Sequence, residues 1–123
     1  AQDVLDALGR GAALVDARAP SFFAGYDKAA EALRPGHIPG ALNLDYVLAY
    51  DAARQRLRPR GELDALFADV PQGPVISYCN TGHTAALNWF VLSEVLGRPD
   101  VRLYDGSMTD WTQDPARPVT SLF

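Results

Sequence analysis

The residues that could do chemistry fall in one stretch, S-Y-C-N-T-G-H-T at 77–84, centred on Cys79, the only cysteine among 123 residues. A cysteine thiolate is nucleophilic without an adjacent general base. Whether Cys79 is ionised depends on what surrounds its sulfur. Gly82 permits a positive φ, which lets successive backbone N–H groups curl toward one point. A helix opening near Thr84 adds its unpaired N–H groups and the positive end of its dipole. Donors so arranged stabilise the thiolate and lower the cysteine pKa. The same bowl of amides would hold a persulfide anion or the oxyanion end of a sulfur donor. The competing assignment is a buried structural cysteine, the commoner role of a lone thiol. Such a residue normally sits mid-strand or on an apolar helix face, whereas Cys79 stands where strand becomes loop. Ser77, on the preceding strand, has no convincing base and is no triad serine. Trp89 and Trp111 are most simply read as packing.

A loop of this kind needs a rigid frame, and the flanking sequence supplies one. P-V-I-S-Y at 74–78 is the clearest buried strand, and 84–96 carries Leu87, Phe90, Val91 and Val95 at helical spacing before Gly97. Upstream, residues 3–9 read as a short amphipathic helix with Asp3 as N-cap, and A-A-L-V-D-A at 12–17 as a buried strand. A helical patch is expected near 21–25, a short strand at 41–44, a modest helix at 46–54 and a further helix at 60–69 with Leu63, Leu66 and Phe67 inward. V-R-L-Y at 101–104 is the last strand, followed by D-G-S-M and a proline-containing tail. Short apolar strands alternating with helices predict an α/β fold with a largely parallel sheet. Asp16 and Arg18 then follow one strand, Asn43 and Asp45 another, Cys79 a third and Asp105 a fourth. Open parallel sheets bind ligands beyond the carboxyl ends of their strands, where these polar residues fall.

Composition narrows the function classes. The chain is 48% hydrophobic and 21% charged, with a net charge of −4, ordinary for one globular domain with its own core. One cysteine cannot form an internal disulfide, which removes the disulfide-framework class but leaves cytoplasm and periplasm both open. The densest basic cluster, Arg54, Arg56, Arg58 and Arg60, is interrupted by Pro59, so a nucleic-acid face is not expected. No stretch approaches the roughly 18 apolar residues of a membrane span, and no signal peptide is read at the start.

Four segments together carry a resemblance to the rhodanese-like sulfurtransferases. L-V-D-A-R at 14–18 resembles the family's strand ending in D-x-R, and G-H-I-P-G-A at 36–41 its G-H-I-x-G-A turn. S-Y-C-N-T-G-H-T-A-A at 77–86 resembles the active-site loop and helix, and L-Y-D-G-S-M-T-D-W at 103–111 the closing segment. The resemblance implies a three-layer α/β/α fold over residues 1–123, with a mostly parallel sheet of four to five strands. The family's first short strand, which precedes the first helix, would here be clipped or lie upstream of Ala1. By the same resemblance Cys79 accepts sulfur as a persulfide, Asn80, Thr81, Gly82, His83 and Thr84 form the cradle, and Arg18 holds an anionic donor. The implied partners are a small sulfur donor and a thiol or cyanide-like acceptor, with no metal and no organic cofactor. A start without Met fits the catalytic second half of a tandem-domain protein, with an upstream rhodanese-like domain as a further partner.

Departures from the pattern limit the alternatives. A phosphatase relative would need Arg at position 85, where this chain has Ala85, so the bidentate clamp on a phosphoryl group is missing. The loop has no permanently charged base; only His83 can become cationic. This neutral loop is more similar to those of the 3-mercaptopyruvate enzymes, with Thr81 where those carry Ser, although Arg18 and His83 leave thiosulfate open. His83 is equally readable as a solvated loop residue, His37 as a structural hydrogen-bonding residue, and Asp16 as either an orienter of Arg18 or a partner of loop amides. Cys79, His83 and His37 lack metal-ligand spacing. Two other function classes stay open: a non-catalytic binding or regulatory module, and a persulfide carrier serving a partner protein.

Overall fold

The computed structural model describes residues 1–122. Its centre is a sheet of four parallel strands, β1 (Ala13–Asp16), β2 (Leu42–Asn43), β5 (Val75–Tyr78) and β6 (Val101–Leu103), in the order β2-β1-β5-β6. The remaining two, β3 (Tyr50–Asp51) and β4 (Arg56–Leu57), form a separate antiparallel hairpin. The helices are α1 (Gln2–Gly9), α2 (Pro20–Ala24), α3 (Arg60–Leu66), α4 (Ala85–Phe90) and α5 (Ser107–Trp111), with a 3-10 turn at Tyr46–Ala49. No described helix is long and apolar enough to cross a membrane.

Alternation along the two central strands produces the three layers. Leu14, Ile76 and Tyr78 face one side, where they pack with Val4 and Ala7 of α1, Ile38, and Met108 and Trp111 of α5. Val15 and Val75 face the other, against Ala49, Leu63, Phe67, Val91 and Leu92. Because β5 is covered on both faces, all four of its residues are buried, as its continuous apolar run requires. The same parity sends Ser77 and then Cys79 toward α4, and the Ser77 hydroxyl donates to Ala85 O at 2.8 Å. Strand and helix are thereby stitched together across the loop they flank.

Several boundaries differ from expectation for identifiable reasons. The segment expected as a helix over 46–54 makes one 3-10 turn, capped by the Asp45 carboxylate accepting from Val47 N, and then enters the hairpin. Only Ala49 of that turn is buried, while Val47 and Leu48 are exposed, so no apolar stripe exists to hold a longer helix. The hairpin reverses at Gln55, a non-glycine residue at φ 54°. D-G-S-M, to which the sequence assigns no element, leads into α5 at Ser107. The strand at 41–44 keeps two ladder residues, although Leu44 N still donates to Asp16 O at 2.9 Å. The helix over 84–96 is α-helical to Phe90 and π-helical over Val91–Val95, closed by Leu96 N donating to Val91 O. Asp3 is not a cap: the helix begins after Ala1 with no side-chain cap.

Tyr78 ties the sheet to the 36–41 turn, since its hydroxyl accepts from Ile38 N at 3.1 Å. Burial first, and then the Asp16 carboxylate, push its phenol well above the ordinary range, so it stays neutral. Replacing Tyr78 with Phe should cost about 1–3 kcal/mol in urea unfolding, because a buried amide loses its acceptor. An unchanged unfolding midpoint would show that Ile38 N–H finds another partner.

Candidate active site

Beyond β1 the chain turns toward β2, and beyond β5 toward β6, so the loops after these neighbouring strands diverge. Crevices of this kind, at the reversal of strand order, are where open parallel sheets place ligands. Asp16 pairs in register with Tyr78, which brings Arg18 and Cys79–Asn80 together at the mouth of the crevice. Cys79 is 1% exposed and packs with Ala17 and Ala85, with Tyr46 and Leu103 against them.

Gly82 N donates to Cys79 Sγ at 3.0 Å. Burial alone would push the thiol pKa up, but the Thr84 hydroxyl and the N–H groups of Ala85, Gly82 and Thr81 outweigh it, and the pKa falls below the ordinary thiol value. The bowl expected from residue types is therefore present, and Thr84 enters through its side chain as well as through the helix it begins. Gly82 has φ 94°, and a Cβ there would lie 2.4 Å from Asp105 O. Two constraints thus demand glycine: a left-handed backbone, and close approach to the loop after β6.

The other expected cradle residues divide in role. Asn80 is half-buried; its Oδ1 accepts from Arg18 Nη1 at 3.2 Å, and its carbonyl accepts from Thr109 N at 3.0 Å and Thr109 Oγ1 at 2.8 Å. Thr81 is exposed and contributes its amide. His83 is exposed, and its imidazole has no hydrogen-bond partner among the described residues. His37 takes the structural role, with Nδ1 2.6 Å from Phe23 O and its ring stacked on Phe23 at 3.7 Å.

Arg18 is almost wholly enclosed. Its Nε lies 2.9 Å and 3.1 Å from the two Asp16 carboxylate oxygens, and Nη2 donates to Asp16 Oδ2 at 2.7 Å and Gly36 O at 2.8 Å. With Nη1 on Asn80 Oδ1, four of its five N–H groups are engaged, leaving one Nη1 hydrogen. Burial opposes its charge, but the Asp16 bonds and charge prevail and raise its pKa further; the Cys79 thiolate also favours the cation. Asp16 thus fills both expected roles, orienting the Arg18 guanidinium and accepting the Arg18 amide at 3.0 Å.

The residues missed from sequence lie across the crevice, in the turn that opens α5. Ser107, 0% exposed, accepts from Cys79 N at 3.0 Å and donates to Tyr104 O at 2.8 Å. Met108 N donates to Cys79 O at 3.0 Å. Nothing in the spacing of D-G-S-M separates a serine that caps a buried amide from one in a solvated loop. Among the described residues no group of three or more His, Cys, Asp or Glu could hold a metal ion.

The family model for the rhodanese-like domain matches residues 1–114. The thiosulfate sulfurtransferase of Corynebacterium glutamicum is 43% identical over 116 residues, which cover 89% of this chain and 38% of that protein. The thiosulfate sulfurtransferase of Pseudomonas aeruginosa is 36% identical over 110 residues, covering 87% and 39%. The chain thus spans about two-fifths of the length of these relatives. Among solved structures, Tum1 from Saccharomyces cerevisiae superposes with a TM-score of 0.78 at 27% identity, over 98% of this chain and 44% of that one. The anaerobic ergothioneine biosynthesis enzyme from Chlorobium limicola shares the fold, with a TM-score of 0.86 at 23% identity over 98% of this chain and 31% of that one.

Two substitutions test the cradle. Thr84→Val should raise the pH midpoint of Cys79 alkylation by iodoacetamide, because a donor to the thiolate is lost; a midpoint that stays or falls contradicts the assignment. The depressed thiol pKa also stabilises the fold above the ordinary thiol pKa, an increment lost as pH falls through the folded-state value. Gly82→Ala should cost more than about 1 kcal/mol and should slow alkylation at neutral pH, as read by urea unfolding and timed quenching.

Proposed function

The chain belongs to the rhodanese-like domain family, and from that premise we propose that it is a sulfurtransferase domain working through a Cys79 persulfide. The observation that carries this proposal is the buried sulfur facing a converging set of N–H and O–H donors, with its pKa lowered against the effect of burial. Such a thiolate attacks the outer sulfur of a small donor, thiosulfate or 3-mercaptopyruvate. A Cys79 Sγ–S bond forms as the donor's bond to that sulfur breaks, and the electron pair leaves with sulfite or with pyruvate enolate. A thiol or cyanide-like acceptor then attacks the outer sulfur, and the electron pair of the breaking bond returns to Cys79. Every step is a displacement at sulfur that draws on no metal or organic cofactor. This sequence has no second cysteine, so release falls to an acceptor outside it. If that acceptor is a protein thiol, the same chemistry makes the domain a persulfide carrier. The relatives' length is compatible with an upstream rhodanese-like domain as a partner in the whole protein.

The cradle amides from Asn80 to Thr84 hold the persulfide, and Arg18 sets a fixed positive charge beneath them. An anionic donor meets Arg18 through its one unengaged hydrogen. His83 lies at the exposed rim of the loop. Donor choice is therefore weighted by two features: the relatives carry the thiosulfate name, whereas the cradle has no permanent cation of its own.

Protein mixed with either donor should gain about 32 Da on Cys79, one sulfur atom as a persulfide, and lose it on adding cyanide. Cys79→Ser should abolish both the gain and the turnover. If no donor or other persulfide source loads Cys79, the catalytic reading fails and a binding module takes its place. A 100-fold preference between the donors would correspond to about 2.7 kcal/mol of differential transition-state binding. Arg18→Ala should cost about 3–5 kcal/mol of stability, because Asp16 is left as a buried unpaired charge. An unperturbed urea midpoint would instead make Arg18 purely a donor contact.

A further inference from the structure

The contacts that fix Cys79 most tightly come from outside its own loop. The Cys79 amide and the carbonyls of Cys79 and Asn80 are all held by the opening turn of α5. Cys79 N donates to Ser107 Oγ at 3.0 Å, Cys79 O accepts from Met108 N at 3.0 Å, and Asn80 O accepts from both Thr109 donors. With the amide and carbonyl of Cys79 anchored, the direction of its Cα–Cβ bond is set, and the sulfur retains only rotation about χ1.

Ser107 occupies this place under strain. Its φ is 52°, a left-handed conformation that a side chain with a Cβ adopts reluctantly and glycine adopts freely. What serine offers there beyond glycine is the hydroxyl. That hydroxyl donates its single proton to Tyr104 O at 2.8 Å, so a lone pair is free to accept the Cys79 amide. Its oxygen is 4.0 Å from Cys79 Sγ, beyond a strong contact. Ser107 therefore acts on the backbone of Cys79 and not on its sulfur.

We propose that Ser107 is a positioning residue of the sulfur-transfer site. Its hydroxyl captures the buried Cys79 amide and links it to Tyr104 at the end of β6, which aims Cys79 Sγ into the donors of its own loop. Without that anchor the β5 end relaxes, the sulfur drifts from Gly82 N, and the thiolate loses the donors that stabilise it. The inference needs Cys79 to be the reacting thiol but is independent of which sulfur donor it serves.

The test uses Ser107→Gly and Ser107→Ala, followed by thiolate absorbance near 240 nm and iodoacetamide alkylation across a pH series. The glycine variant leaves the buried Cys79 amide without its acceptor but relieves the backbone strain, which offsets part of that cost, so it should fold with a smaller loss in urea unfolding than the alanine variant. Its thiolate midpoint should nevertheless rise toward the ordinary thiol value, with alkylation at pH 7 slowed about tenfold. The alanine variant should show the same rise together with lower stability. A folded glycine variant whose midpoint and alkylation rate match the unmodified protein overturns the proposal. Should both variants fail to fold, amide exchange in the unmodified protein decides: the Cys79 N–H should exchange only through global unfolding, and exchange through a lower-energy local opening overturns the proposal. Neither readout uses a sulfur donor, so failure here is distinct from failure of the sulfurtransferase reading.

Discussion

At the carboxyl end of β1 a carboxylate and a guanidinium are both removed from water, Asp16 at 0% and Arg18 at 5% exposure. Neither ion is tolerable there alone, and each must find every remaining partner within the protein. Asp16 takes the Nε and Nη2 edge of the guanidinium and also the Arg18 amide. The next N–H is left for Gly36 O, which draws in the 36–41 turn, and Nη1 reaches Asn80, which orients the residue after Cys79. Asn43 then closes the arrangement by donating to Arg18 O at 2.8 Å. The ends of three neighbouring strands are thus tied through one buried charge pair. The crevice above them has a floor that cannot rotate.

On that floor the sulfur is balanced between opposing effects. Enclosure against Ala17, Ala85 and Tyr46 favours the neutral thiol, whereas the surrounding donors favour the anion and win. The outcome suits the proposed sulfur transfer. A thiolate open to water would be stabilised by solvent and open to oxidation, and an enclosed thiol without donors would be inert. The same donors are available to a sulfur one bond further out. In the proposed reaction the charge would not have to leave the cradle as the thiolate became a persulfide.

Much of this was legible in the sequence because it is written in local patterns. The continuous apolar run of β5, the spacing of Leu87, Phe90, Val91 and Val95, and Gly82 after Cys79 each have one physical meaning within a few residues. The 46–54 segment misled because its helix-compatible composition has no inward stripe, which becomes visible only once the exposure of Val47 and Leu48 is known. Arg18 was identifiable as a site residue, but its engagement by Asp16, Gly36 and Asn80 depends on partners distant in sequence. Ser107 was hidden more completely. A left-handed serine capping an amide 28 residues upstream leaves no mark in periodicity or spacing.

Gly82 rests directly against the Asp105 carbonyl, with no room there for even a methyl group. The loop is therefore an arch whose crown is pressed on a fixed abutment: it cannot be raised or widened without displacing the start of α5, and with it the anchors of Cys79. An extra loop residue would have to lift that crown.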